Sequence, residues 1–212
     1  MTLDQYLVAK SGTEPDILRE LARQTHLRVT QPRMLSGAVE GQFLAILISM
    51  VAPRRVLEIG TYTGYSTIAM ARALSGEGKI VTIEIDDELE AISSEFFAKS
   101  GLQDRIVQYF GAALDVMKSQ LNEQFDFVFI DANKREYKEY YNMLFDKHLV
   151  GSGSVIVADN TLWSGKVLLE VTDCKDLQTE AIKAFNTLVS DDTRVEKVMI
   201  PLRDGVTIIR VK

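Results

Sequence analysis

From residue 55 onward the chain alternates short, nearly continuous apolar runs with longer segments of helical spacing. The runs fall at 55–59, 80–85, 105–110, 125–130 and 154–158, and helices are predicted near 66–74, 87–99, 112–120 and 136–147. Strand, helix and strand at this spacing mean βαβ units and a parallel sheet. Near-continuous apolar character is what a strand covered on both faces requires. The end breaks the pattern. A helix near 177–189 leads to runs at 195–200 and 206–211, and the loop between these holds Asp204-Gly205. Such a loop reads as a hairpin, so the last strand should run antiparallel in an otherwise parallel, seven-stranded α/β sheet with helices on both faces.

The N-terminal third reads as helical. Pro15-Asp16 opens a helix through Ile17, Leu18, Leu21 and Ala22, and a second helix at 37–50 turns Phe43, Leu44, Leu47 and Ile48 inward before Pro53 closes it. No linker divides the chain. The expectation is one domain over 1–212, with 1–52 a helical extension and 53–212 the core.

Composition narrows the function classes. The chain has 212 residues, 46% hydrophobic and 25% charged, with a net charge of −6. That balance suits a globular protein with a real core and argues against a broad nucleic-acid-binding face. The single cysteine, Cys174, cannot form an internal disulfide, which fits a reducing cytoplasm. Asp173 and Asp176 beside it would raise a thiol pKa, so a catalytic thiol is not expected. Residues 1–10 lack the pattern of a signal peptide, and the apolar stretch 43–51 is too short to span a bilayer, so no membrane partner is expected.

The segment Val56-Leu57-Glu58-Ile59-Gly60-Thr61-Tyr62-Thr63-Gly64-Tyr65-Ser66 runs from a buried strand through a glycine loop into a helix. Loops at the carboxyl ends of strands are where open α/β sheets bind ligands. A dinucleotide fingerprint would need glycine where Tyr62 and Tyr65 stand, so NAD is excluded, and no phosphate-binding lysine loop is present. Glu58 opposes a phosphate and suits a ligand with an amino group or a sulfonium. Glu84, at the next strand end, is placed to accept ribose hydroxyls. The plainer reading is that both are strand-end charges.

Two more strands end in acids, at Asp131 and at Asp159-Asn160. If these strands are neighbours, two carboxylates and an amide converge, a hard oxygen set suited to Mg²⁺, Mn²⁺ or Ca²⁺. Neither His26 nor His148 sits near these motifs, so zinc and copper are disfavoured. The plainer alternative is that Asp131 and Asp159 cap the following turns. Lys134 stands one turn from Asp131, where it could act as a general base or belong to a solvated charge run with Arg135 and Lys138.

Together these residues resemble the cation-dependent O-methyltransferases, the family of catechol O-methyltransferase and plant caffeoyl-CoA O-methyltransferase. The similarity covers about residues 34–210. It rests on Glu40-Gly41-Gln42-Phe43-Leu44, the glycine loop, Phe129-Ile130-Asp131-Ala132-Asn133-Lys134, Asp159-Asn160-Thr161-Leu162-Trp163 and the Asp204-Gly205 hairpin. The resemblance implies a Rossmann-like class I methyltransferase fold that binds S-adenosylmethionine. Glu58, Gly60, Thr61 and Ser66 would hold the methionine end, with Ser36, Tyr62, Tyr65 and Asp131 also among the cofactor-binding residues. Glu84 would take the ribose and Ala113 would lie by the adenine. Asp131, Asp159 and Asn160 would bind the metal, Lys134 would be the base, and the protein would be a homodimer.

Where the plant enzymes have Asp and Asn this chain has Asn133 and Ser164, at positions lining the acyl-CoA site, and the segment after Trp163 is short. These departures point away from caffeoyl-CoA and towards a small catechol-like acceptor. Trp163 would wall the aromatic pocket or belong to the core. Two competing readings stay open: O-methylation of hydroxyuridine in tRNA, with Lys134, Arg135 and Lys138 as a phosphate patch, and a cofactor-binding protein without catalysis.

Overall fold

The computed structural model describes residues 1–169 and 176–212; Cys174 and Asp173 lie outside them. The elements are α1 (Leu3–Lys10), α2 (Asp16–Arg28), α3 (Ala38–Val51), β1 (Arg55–Ile59), α4 (Tyr65–Ala73), β2 (Lys79–Glu84), α5 (Glu90–Ser100), β3 (Ile106–Phe110), α6 (Ala113–Ser119), β4 (Phe127–Ile130), α7 (Tyr137–Asp146), β5 (Val155–Asp159), α8 (Leu177–Asp191), β6 (Val195–Ile200) and β7 (Val206–Val211). The strands form a seven-stranded sheet in the order β3-β2-β1-β4-β5-β7-β6. β1 pairs parallel with β4, β4 with β5, and β2 with β3. β7 runs antiparallel to both of its neighbours, as the hairpin predicts.

The chain groups into two compact units, one of Met1–Arg54 with Thr61–Gly111, the other of Arg55–Gly60 with Ala112–Lys212. In the first unit, α3 packs on α4 and buries Glu40, Gly41, Leu44 and Ile48. Residues 32–51 together reach 20 residues at a mean hydropathy of 1.6, enough by length and composition for a bilayer, which the stretch 43–51 alone did not suggest. That span is not one helix. A 3-10 turn at Pro32–Met34 precedes the α3 helix, and Gly37 stands between them with φ 82. α1 was not foreseen, although Thr2 and Gln5 form a reciprocal capping box at its start.

In the second unit the strand order reverses between β1 and β4, the kind of point at which open α/β sheets form their ligand crevice. β4 is buried along its whole length, and so is β1 after Arg55. α7 and α8 close over this sheet through Phe185, whose ring meets Tyr137 edge-on at 5.4 Å and Tyr141 at 6.1 Å. At the far end of α8, Asp192 accepts from the Tyr141 hydroxyl and pairs with Arg194 at 2.7 Å.

Candidate active site

In the first unit the glycine loop is fixed by its own backbone. The Thr61 amide donates to Ile83 O at 3.2 Å, and the Thr61 and Thr82 hydroxyls share a hydrogen bond of 2.6 Å. Tyr62 takes a left-handed φ of 51. Its amide donates to Glu84 Oε2 at 2.6 Å and its hydroxyl to Gln31 O at 2.9 Å. Glu84 Oε1 accepts the amides of Ile85 and Asp86, both at 3.0 Å. Three backbone donors thus hold this carboxylate in one orientation at the end of β2, which leaves one lone-pair site, on Oε2, for a further donor. Ser36 and Ser66 are both buried.

Tyr65 serves a different end from the one its place in the motif suggests. Its ring packs on Gly41, where an added Cβ would meet it at 2.9 Å, and its hydroxyl donates to Glu14 at 2.5 Å. Burial, followed by the Glu14 hydrogen bond, raises its pKa. Its ring helps line a cavity of about 210 Å³ between α2, α3 and α4, together with Glu14, Gln42 and Arg72.

In the second unit β1 delivers Glu58, fully buried, and then Gly60. Gly60 has φ 102, and a Cβ there would lie 2.1 Å from the carbonyl oxygen of Asp131. Only glycine allows β1 and the end of β4 to pass so closely. Ala113, at the start of α6, is buried.

β4 and β5 are adjacent and parallel, with Ile130 opposite Ala158, so Asp131 and Asp159 leave the sheet side by side. Burial, then the Asp131 charge, pushes the Asp159 carboxyl up to about 6; Lys134, the Asn160 amide and Arg203 oppose this. Asp159 Oδ1 is buried with no hydrogen-bond partner among the described residues. Asn160 follows in a left-handed turn, φ 59.

Lys134 Nζ donates to Asp131 Oδ1 and to the Tyr137 hydroxyl, both at 2.7 Å. That hydroxyl reaches Ile130 O and Asp159 O, each at 3.2 Å, so Tyr137 ties the lysine to the backbone of both acid-bearing strands. Lys134 is buried, not part of a solvated charge run. Tyr137 was missed from the sequence, although a position three residues after Lys134 places it on the same face of the turn. Asn133 is exposed and caps that turn through the Arg135 amide at 3.3 Å. Trp163 and Ser164 share left-handed backbone, φ 48 and φ 52. Trp163 Nε1 is buried without a partner among the described residues, and the Ser164 amide donates to Asp204 Oδ1. His26 bonds its own helix at Ala22 O, and His148 is exposed.

Among the described residues, no group of three or more His, Cys, Asp or Glu side chains could hold a metal. The set expected from the sequence is two acids and an amide. Its chemistry still fits a hard dication, because the orphaned oxygen of Asp159, the neighbouring Asp131 charge and the raised carboxyl pKa all call for positive charge there.

The profile of the O-methyltransferase family matches residues 8–212. Caffeoyl-CoA O-methyltransferase of Populus kitakamiensis is 36% identical over 220 residues, covering 98% of this chain and 92% of its own. Tricin synthase 2 of rice (Oryza sativa subsp. japonica) is 35% identical over 207 residues, covering 93% of this chain and 70% of its own. The structure of the O-methyltransferase from Bacillus cereus in complex with SAH superposes with a TM-score of 0.90 at 30% identity, over 99% of this chain and 97% of that one.

Proposed function

The chain belongs to the O-methyltransferase family, an S-adenosylmethionine-dependent enzyme with a class I methyltransferase sheet, and from that premise we propose that it methylates a hydroxyl of a small vicinal dihydroxy aromatic with the help of a divalent cation. The observation that carries the finer reading is the group formed by half-buried Asp131, buried Lys134 and Tyr137, and the orphaned oxygen of Asp159. Asp131, Asp159 and Asn160 would hold the cation. Glu84 would accept a ribose hydroxyl, with Ala113 by the adenine. Glu58 and Asp131 would favour the cationic methionine end, with Gly60, Thr61, Ser66 and Ser36 around it. Tyr62 and Tyr65 would contribute backbone.

Bound S-adenosylmethionine supplies the methyl on its sulfonium, and a divalent cation supplies charge that favours the ionised acceptor oxygen. Lys134, in its neutral form, accepts the acceptor's hydroxyl proton at Nζ. Tyr137 and Asp131 hold that nitrogen in place, which keeps the proton acceptor preorganised. Much of the rate would come from near-attack positioning rather than from new chemistry. The tRNA reading is weakened because Lys134 is buried, leaving only Arg135 and Lys138 exposed in the expected phosphate patch.

A cytoplasmic homodimer belongs to the same proposal. The exposed apolar side chains Leu3, Tyr6 and Val8 on α1 and Ile46 and Met50 on α3 suit a partner copy, and light scattering would read the mass.

The deciding experiment measures S-adenosylhomocysteine formed with a panel of catechols, in Mg²⁺ or in chelator. Turnover that vanishes on chelation is the expected result. Equal turnover in chelator would end the metal assignment, and turnover only on undermethylated tRNA would end the small-molecule one.

A further inference from the structure

Each residue of the turn 61–64 is held by a different part of the same compact unit. Gly64 closes the turn by donating its amide to Thr61 O at 2.9 Å, and it lies against Phe97 of α5, whose ring an added Cβ would meet at 2.6 Å. The Thr61 hydroxyl pairs with Thr82 of β2, and the Tyr62 hydroxyl reaches Gln31 O, just past α2. Thr63 reaches α2 itself, its hydroxyl oxygen 2.9 Å from that of Thr25. Both of these threonines are fully buried.

Proton counting sets the direction of that last bond. Thr25 Oγ1 also lies 2.9 Å from Leu21 O, which has no proton to give. A hydroxyl has one proton. Both contacts are hydrogen bonds only if Thr25 donates to Leu21 and Thr63 donates to Thr25. Thr25 is then the acceptor for a buried donor on the glycine loop.

We propose that Thr25 is a positioning residue for the cofactor: by accepting the Thr63 proton it holds the turn 61–64 in the shape that receives S-adenosylmethionine. The inference rests on the reading of this turn as the cofactor loop. A buried hydroxyl donor deprived of its acceptor costs free energy, which the chain recovers by letting water reach it. The turn is the part that yields. Thr25 sits within α2, where regular helix bonds hold it, whereas Tyr62 keeps its left-handed φ of 51 only while its surroundings support it. A cofactor would then meet a loop that is closed only part of the time, and its apparent affinity falls by that fraction.

Calorimetric titration of the full chain with S-adenosylhomocysteine, alongside thermal unfolding, tests this. Thr25→Val strands the Thr63 proton and should weaken binding by about tenfold. Thr63→Val leaves Thr25 donating to Leu21 and should weaken it by no more than about twofold. The double variant Thr25→Val/Thr63→Val should bind like Thr63→Val, and Thr25→Ser, which restores the acceptor, like the parent. A lower Tm in Thr25→Val with unchanged affinity would make the pair purely structural. Equal losses in the two single variants, not recovered in the double, would reverse the proton order. Either result overturns the proposal. Thr25→Ala leaves room for a water beside Thr63 and serves if Thr25→Val does not fold; a smaller loss is expected, and no loss overturns the proposal equally. Glu84→Gln, at the cofactor itself, keeps the two readings apart. A loss there with none in Thr25→Val ends only the role of Thr25, whereas no binding of S-adenosylhomocysteine by the unsubstituted protein ends the cofactor reading of the loop and the role of Thr25 with it.

Discussion

Lys134 Nζ lies 2.7 Å from the Asp131 carboxylate, with both side chains largely withdrawn from water. A base so placed is committed to one reacting atom. Lys134→Ala should lower turnover by about a hundredfold or more, while S-adenosylmethionine affinity stays near its original value. Lys134→Arg should not restore the rate, since a guanidinium keeps its proton. Turnover close to the parent's in Lys134→Ala would remove the lysine from the chemistry.

Asp159 is buried with a carboxyl pushed up to about 6 and one oxygen without a partner among the described residues. Function and stability should therefore part company here. Asp159→Asn should abolish Mg²⁺-supported turnover yet raise the Tm of the metal-free protein by a few degrees, because a desolvated charge is removed. A lower Tm in calorimetry would show that the carboxylate is already satisfied.

Glu84 accepts three backbone amides. Glu84→Gln replaces one accepting oxygen with a donor that must face an N–H or a ribose hydroxyl. S-adenosylmethionine binding should weaken by about tenfold, corresponding to one lost charge-assisted hydrogen bond. Titration with S-adenosylhomocysteine reads the same loss without turnover. Unchanged affinity would place the ribose elsewhere.

The Arg194 guanidinium holds the Asp192 carboxyl down at about 2, helped by the Arg194 amide and the Tyr141 hydroxyl. A carboxylate whose folded pKa is depressed adds stability above its unfolded pKa near 4 and loses it as pH falls through the folded value. Asp192→Asn should cost about 1 kcal/mol at neutral pH, less than the full shift because solvent screens the exposed arginine. The gap between the two proteins should hold from pH 8 to about 5 and close between about 4 and 2. A gap that persists at pH 2 would assign the stability to packing.

The sheet was legible because its strands are covered on both faces, and burial on both faces writes itself as unbroken apolar runs such as 127–130. The acids at strand ends were legible for the same reason, since a charge closing such a run stands out. Boundaries moved by one or two residues, as at β2, which runs Lys79–Glu84 instead of 80–85. Side-chain direction was less visible. Spacing put Tyr65 in the cofactor motif, but its ring turns to Gly41 because the next helix over leaves a gap of that size. Tyr137 was missed because half of its importance comes from a segment far away in sequence, the end of β5, whose Asp159 carbonyl its hydroxyl reaches. The short helix α1 has little apolar periodicity, and only its capping box announced it.

The missing methyl at Gly60 has an evolutionary consequence. Its α-carbon and the carbonyl of Asp131 occupy a space too small for any side chain. The strand that leads into the cofactor loop and the residue expected to ligate the metal therefore share one wall. Neither can drift without displacing the other, so change along this lineage falls more easily on the loop of Trp163 than on this crossing.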